Sequence, residues 1–435
     1  MKRGTGVTFI DEPARRIPVV RNVDVLVVGA GTSGCSAAVA AARRGMRVAI
    51  VDRYGFLGGT ATAAMVGCLC GVYTCSPNTV TVVAGHLREI TDSLEERGSG
   101  YKRKHRYQLD HEILKLVLDR WLSEAGVEIL FQTQVVEAIV EAGAVRGVIV
   151  ETKAGRGAIR AAVVIDSSGD ADVIARAGGR FEKSPTGELQ APSLVFTMAG
   201  VDIERATAVP EAEVSRLLRA ATESGEFSFN RFSGGFSPVP PEGKVHMNIT
   251  RIVNVDGTDP DDLNRAYLEG RRQVDEYARF AMKFLPGFEH AYIDQIAPQL
   301  GVRETRRVVG EYVLTVDDVL GARAFPDAIC RGAWPVEIHP NDATGTTRIH
   351  LDGDTYYQIP YRCLVPADLE GVLVTGRCIS TTHEAQGSTR VMGPGIATGQ
   401  AAGTAAALSV HAGLPVRGVD VSALQGELER AGALI

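Results

Sequence analysis

Residues 24–52 read DVLVVGAGTSGCSAAVAAARRGMRVAIVD, and the order of parts in this stretch decides the fold. The apolar run Val25 to Val28 has the composition of a buried parallel strand. Three glycines follow it. Gly29 allows a sharp turn off the strand, Gly31 removes a side chain where a pyrophosphate must meet backbone, and Gly34 lets helix and strand pack closely. The alanine-rich segment that begins at Thr32 and Ser33 reads as a helix whose N-terminal N–H groups and partial positive charge face the phosphates. Val48 to Val51 is a second strand, closed by Asp52 where a ribose-binding acid belongs. The stretch predicts an adenine dinucleotide site on a doubly wound, Rossmann-like α/β domain.

Outward from this stretch, Gly55 to Thr62 reads as a turn feeding another small-residue helix, which brings more backbone N–H groups to the same phosphates. Asp110 predicts the N-cap of an amphipathic helix ending near Gly126, and Val127 to Phe131 a third parallel strand. From Gln134 to Arg160 short alternating strands replace a crossover helix with an antiparallel meander. Ala162 to Asp166 then returns to the parent sheet, followed by the turn Ser167-Ser168-Gly169-Asp170.

Residues 184–365 change character: prolines and aromatics become frequent, and alternating strands mix with a helix predicted over Asp261 to Phe284. This predicts a three-part chain. Residues 1–183 form the first part of the dinucleotide-binding domain, 184–365 an inserted α+β substrate domain, and 366–435 the rest of the first domain. In the last part, Val372 to Thr375 is a buried strand before Gly376. The stretch Ser388 to Gly403 is a glycine-marked helix start with Pro394 near its first turn, so poor in large side chains that its N-terminus is read as aimed at a flavin ring.

Length and composition fit this reading. A chain of 435 residues with 45% hydrophobic and 23% charged residues suits two soluble domains with a sizeable core. The net charge of -6 gives no electrostatic reason to bind nucleic acid or an anionic membrane, and the basic run Lys102 to Arg106 reads as a solvated loop. Met1 to Val20 lacks the apolar core of a secretory leader, and no apolar run reaches spanning length, so a cytoplasmic protein is expected. Seven cysteines without repeated spacing suit a reducing compartment; Cys68, Cys70 and Cys75 read as small apolar side chains, and no metal site is expected.

The combined pattern resembles the FAD-dependent oxidoreductases of the glutathione-reductase-like superfamily, in the branch related to fumarate-reductase-type flavoproteins. It is carried by Gly29-x-Gly31-x-x-Gly34, Gly58-Gly59-Thr60-Ala61, Val164 to Asp170, Gly301 to Arg307, Gly376-Arg377 and Gly393-Pro394-Gly395. The resemblance implies FAD. It implies that Gly29, Gly31, Ser33 and Gly34 cradle the pyrophosphate, that Asp52, with Arg53 beside it, holds the adenosine ribose, and that Gly58, Gly59, Thr60 and Ala61 approach phosphate and ribityl. Val135 would meet adenine, and Gly169, Gly376 and Gly393 would lie along the cofactor. Gly395 and Ile396 would offer N–H groups to the flavin's pyrimidine edge. Where many relatives carry Asp, this chain has Arg377, which puts the ribityl contact in doubt. No second fingerprint for NAD(P)H is visible, so an external electron donor or acceptor is expected.

Hydride transfer between a small polar, possibly anionic, organic molecule and flavin N5 needs a clamp and a proton carrier. Arg303, Arg306 and Arg307 are clamp candidates, since guanidinium binds carboxylate in a bidentate fork; on a strand, Arg303 and Arg307 would share one face, and Glu304 with Arg306 the other. The competing reading is an ion-pair network between domains. His383, beside Glu384, is the proton carrier by its near-neutral pKa, and Arg390 a clamp or flavin contact. Two alternatives stand: a flavin-linked thiol-disulfide oxidoreductase using Cys70 and Cys75, and a flavin-dependent RNA-modifying protein using the basic run. A homo-oligomer is compatible with the sequence.

Overall fold

The computed structural model describes residues 10–233, 235–341 and 345–435; the start of the segment read as lacking a leader, residues 1–9, lies outside the described residues. The fingerprint folds as its composition dictates. Strand β1 (Val19–Val28) leads through Gly29 to helix α1 (Thr32–Ala42) and strand β2 (Val48–Val51). Val25, Leu26 and Val27 are fully buried because the sheet continues on both sides of β1 and helices cover it. The short strand β3 (Cys68–Leu69) and the hairpin β4 (Gly100–Arg103) and β5 (Arg106–Leu109) form a separate antiparallel sheet. Helix α2 (His111–Glu124) starts where Asp110 accepts from the N–H groups of Glu112 and Ile113. Strand β6 (Glu128–Leu130) then pairs parallel to β2.

The meander is β7 (Gln134–Glu141), β8 (Ala144–Thr152) and β9 (Gly155–Asp166). The sequence reading separates the last meander strand from the strand that rejoins the sheet, but β9 is continuous and serves both purposes. Its first half pairs antiparallel with β8 and its length pairs parallel with β1, Val25 opposite Val163 and Val28 opposite Asp166. With β10 (Val372–Val374) parallel to β9, the largest sheet among the described residues has seven strands. β1 lies between β2 and β9, so successive connections leave it in opposite directions; the crevice beyond its carboxyl end is where an open α/β sheet binds ligands.

Helix α3 (Met392–Ala412) lies directly against α1. A Cβ on Gly399 would sit 2.1 Å from the Ser33 carbonyl oxygen and one on Gly403 2.0 Å from that of Ala37. The four-residue spacing of Gly395, Gly399 and Gly403 puts a bare stripe on one face. Backbone then packs on backbone, which accounts for a buried 21-residue helix almost without large side chains. In contrast, the turn after Asp52 yields no second small-residue helix: only Gly59–Ala61 form a short 3-10 turn.

A second apolar cluster gathers Leu194 to Leu300 around a four-stranded antiparallel sheet and the helix Pro260–Phe284. That helix buries Ala266, Gly270, Val274, Tyr277 and Ala281 on one face, and Asp259 caps its start through the N–H groups of Asp261 and Asp262. Residues from Val308 to Val365 pack in the larger core with β10, where Tyr357, Ile359, Cys363 and Leu364 are buried.

Candidate active site

A cavity of about 750 Å³ opens at the carboxyl end of β1 and runs to the second cluster. The predicted residues Gly29, Gly31, Thr32, Ser33, Asp52, Arg53, Gly59, Thr60, Val135, Gly169, Gly376, Arg377 and Gly395 line it, together with Arg303 and Arg390. Gly34, Gly58, Ala61, Gly393 and Ile396 do not. Their roles are internal. A Cβ on Gly34 would lie 2.0 Å from the Gly29 carbonyl oxygen, so its absence lets α1 leave the strand. Gly58 donates to the Ala30 carbonyl at 2.8 Å, and the Ser36 hydroxyl donates to the Ile396 carbonyl at 2.8 Å.

The glycine turn fits a dinucleotide. Gly29 has φ of 95°, a conformation that favours glycine. At Gly31 an added Cβ would meet nothing within 4 Å, so bare backbone faces the cavity, at the start of a helix whose first N–H groups no side chain caps. Asp52 accepts from the N–H groups of Ala30 (2.7 Å) and Tyr54 (2.9 Å), which fixes its carboxylate at the rim; burial pushes its pKa up, against those two bonds.

The structure corrects the expectation that Gly395 and Ile396 present open N–H groups. Gly395 donates to the Val391 carbonyl at 3.1 Å, closing the first turn of α3, and Gly393 donates to the Cys70 carbonyl at 2.9 Å. Pro394 has no N–H, so the groups the helix leaves unused belong to Val391 and Met392, which both line the cavity. Arg377, which stands where many relatives carry Asp, is held by protein partners. Its guanidinium donates to the carbonyls of Gly169 (2.8 Å) and Val302 and to the Asp170 carboxylate (2.6 Å), bracing the turn after β9.

The predicted catalytic set splits. Arg303 and Arg390 reach the cavity, whereas His383, Glu304 and Arg307 line no part of it. His383 Nδ1 lies 2.8 Å from the Glu304 carboxylate, which also pairs with Arg307 and accepts from the Ser184 hydroxyl (3.2 Å) and the Gln190 N–H (3.2 Å). Arg307 therefore turns to Glu304, not to the face of Arg303, because residues 302–306 form no strand and the alternation does not apply. This is the internal ion-pair network. Hydrogen bonding to Glu304 raises the His383 pKa, against its partial burial. The stabilisation is fully present below the unfolded value of about 6.5 and is lost as pH rises through the raised folded value. His383→Gln should therefore cost about 1.5 kcal/mol at pH 5.5 and progressively less in alkaline buffer, read from Tm against pH.

Residues with no clear sequence signal complete the cavity wall: Arg106, Arg231, His246, Asn248, Trp334, Glu337, His339 and Arg348. Glu337 is their hub. Its carboxylate accepts from Arg348 Nε (2.7 Å) and Trp334 Nε1 (3.1 Å), while Arg390 donates to its carbonyl (3.3 Å). Burial alone would push the Glu337 carboxyl up; the His339 ring and the Arg390 and Arg348 guanidiniums outweigh it and hold the group well below the usual range. Burial, then the Arg303 charge, lowers the His339 pKa.

Arg303 donates to the Ala191 carbonyl (2.5 Å) and the Ser193 hydroxyl (3.0 Å). Burial, then the charges of Arg390 and Arg231, lower its pKa. Arg390 Nε, His246 Nε2 and Asn248 Oδ1 are buried with no hydrogen-bond partner. Burial lowers the His246 pKa to about 4, so its ring is neutral near pH 7. The basic run is the turn of the β4–β5 hairpin: Lys102 and Lys104 stay exposed, Lys102 over the Tyr73 ring at 4.1 Å, while Arg103, Lys104 and Arg106 also line the cavity.

Comparison with known proteins places the chain among flavoenzyme sequences only at the level of family. The thiamine thiazole synthase of Aeropyrum pernix is 33% identical over 164 residues, 35% of this chain and 57% of that protein. Digeranylgeranylglycerophospholipid reductase 2 of Methanopyrus kandleri is 28% identical over 268 residues, 58% of this chain and 61% of that protein. The matches thus span about half to three-fifths of the relatives' own lengths. A geranylgeranyl bacteriochlorophyll reductase-like protein from Thermoplasma acidophilum aligns over 94% of this chain and 83% of its own, with 14% identity and a TM-score of 0.49. Among the described residues, no helix is long and apolar enough to cross a membrane. The family model described as FAD dependent oxidoreductase matches residues 24–428, and the chain, an enzyme that uses FAD, belongs to that family.

Proposed function

We propose that this enzyme transfers a hydride between a small anionic organic substrate and flavin N5, within the glutathione-reductase-like superfamily. The observation that carries the reading is charge: Arg106, Arg231, Arg303 and Arg390 line the cavity beside the carboxylate of Glu337, with the exposed Arg348 paired to that carboxylate. Crowded, buried guanidiniums are costly unless an anion joins them, and a carboxylate satisfies them in a bidentate fork. The relatives named for digeranylgeranylglycerophospholipid carry a polyprenyl lipid in their name; this wall suits a compact anion better.

In this reading the cluster formed by residues 194–302 is the core of the substrate unit, and the cavity-lining glycines Gly29, Gly31, Gly59, Gly169 and Gly376 with Asp52 and Val135 hold FAD. Bound FAD supplies the two-electron acceptor or donor. The chain's own residues do the rest. Arg303 and Arg390 hold and orient the anion, and the hairpin carrying Arg106 shields it from water. His246 takes the place expected of His383 as proton carrier: it is neutral, buried and unpartnered at Nε2, so it can accept a proton from a substrate atom. The electron partner is external, and the net charge of -6 makes RNA a poor partner.

Anaerobic mixing of the yellow protein with small hydroxy acids, amino acids and saturated dicarboxylates, against uncharged amide or ester analogues, tests the reading. Bleaching near the flavin absorption maximum is expected only with anionic members. Bleaching by the uncharged analogues at equal rates would overturn it.

A further inference from the structure

Cys68 and Cys70 flank Leu69 at the edge of the small sheet where Cys68 lies opposite Gln108 and Leu69 opposite Tyr107. Strand alternation sends Leu69 into the core, 1% exposed, and both thiols to the opposite face. There they line the cavity, with their sulfur atoms 3.7 Å apart. No other pair of cysteines is recorded in contact among the described residues. Cys75, the partner expected for Cys70, lines a different cavity with Ser76, Lys102 and His105, and Cys35, Cys330, Cys363 and Cys378 are fully buried.

Two features make the pair chemically asymmetric. The hydrogen bond from Cys70 lowers the Cys68 pKa, against burial and with help from the Arg106 charge, while the same contact pushes Cys70 up. Arg106 itself lies over the Trp334 ring at 5.3 Å and carries a buried Nε without a partner. Cys68 is thus the sulfur that loses its proton first and Cys70 the one that keeps it, the order that thiol-disulfide exchange requires. Residues two apart on an extended strand have Cα atoms about 6.6 Å apart, at the upper end of the range a disulfide spans. Gly71, with φ of 74°, follows directly in a conformation that favours glycine. A bridge formed at that limit is readily reduced again.

We propose that Cys68 and Cys70 are a redox-active dithiol that exchanges with a small disulfide entering the cavity. The Cys68 thiolate attacks one sulfur of the incoming disulfide, whose S–S bond breaks and whose other half leaves as a thiolate that takes up a proton. Cys70 then gives up its proton and attacks the Cys68 sulfur, expelling the second half as a thiol. Two protein thiols are oxidised to one disulfide, and one small disulfide is reduced to two thiols. The step does not depend on the substrate assigned to the arginines.

The test treats the flavin-loaded protein with hydroxyethyl disulfide, quenches in acid, alkylates with iodoacetamide and weighs the peptides. The peptide holding residues 68 and 70 is expected to lose two hydrogen masses and take no alkyl group, reversibly on reduction, while Cys75 alkylates fully. Cys75→Ser should leave that loss unchanged, and Cys70→Ser should stop with one mercaptoethanol on Cys68. Alkylation of both Cys68 and Cys70 in the treated native protein, or a bridge from either to Cys75, would overturn the proposal.

Discussion

Gly31→Ala is expected to give a folded, nearly colourless protein whose FAD affinity falls about 10²-fold, a cost of about 3 kcal/mol. The backbone there has φ of -64° and ψ of 173°, which alanine adopts freely, and its Cβ meets nothing within 4 Å. The methyl group instead occupies space where the pyrophosphate must reach the N–H groups of α1, and charge-assisted bonds of that kind are worth about 1.5–3 kcal/mol each. Gly34→Ala separates the two roles of the fingerprint. Its Cβ would fall 2.0 Å from the Gly29 carbonyl oxygen, so helix and strand must part. Overpacking of this kind costs about 3 kcal/mol or more, and the apoprotein itself should lose stability. Isothermal titration with FAD, paired with the Tm of each apoprotein, distinguishes the outcomes. An equal fall in Tm for both variants would refute the placement of Gly31 at the phosphates.

Arg303→Met should lower flavin reduction by anionic donors about 10²-fold to 10³-fold in kcat/KM, the cost of removing one partner from a buried charged contact. Stability should move little, by about 1 kcal/mol. Removing the charge relieves crowding with Arg390 and Arg231, which offsets the bonds lost to the Ala191 carbonyl and the Ser193 hydroxyl. A residue that merely braced two units would show the opposite split, a large fall in Tm with kcat/KM intact. Stopped-flow bleaching and thermal melts on one preparation decide between them.

Backbone-level features were legible in the chain because short-range rules govern them. Val25 to Val28, the glycines at 29, 31 and 34, and the cap at Asp110 depend on neighbours a few residues away, and each folds where its pattern places it. The continuity of β9 was harder to read, since a strand that changes partners midway keeps the same alternation. His383 illustrates a different limit. Its position between the last strand and α3 was right, but Glu304, distant in sequence, captures its ring.

The linear order of residues by itself determined the sheet and the turn that leaves backbone bare for an adenine dinucleotide, because φ preference and apolar periodicity act over a few residues at a time. Tertiary structure alone decided the chemistry of the wall. Arg106, Arg231, His246, Arg303, Glu337 and Arg390 come from six separated segments and meet only when both cores close on one cavity. Their charges and proton affinities are set by burial and by one another, quantities that no local pattern carries.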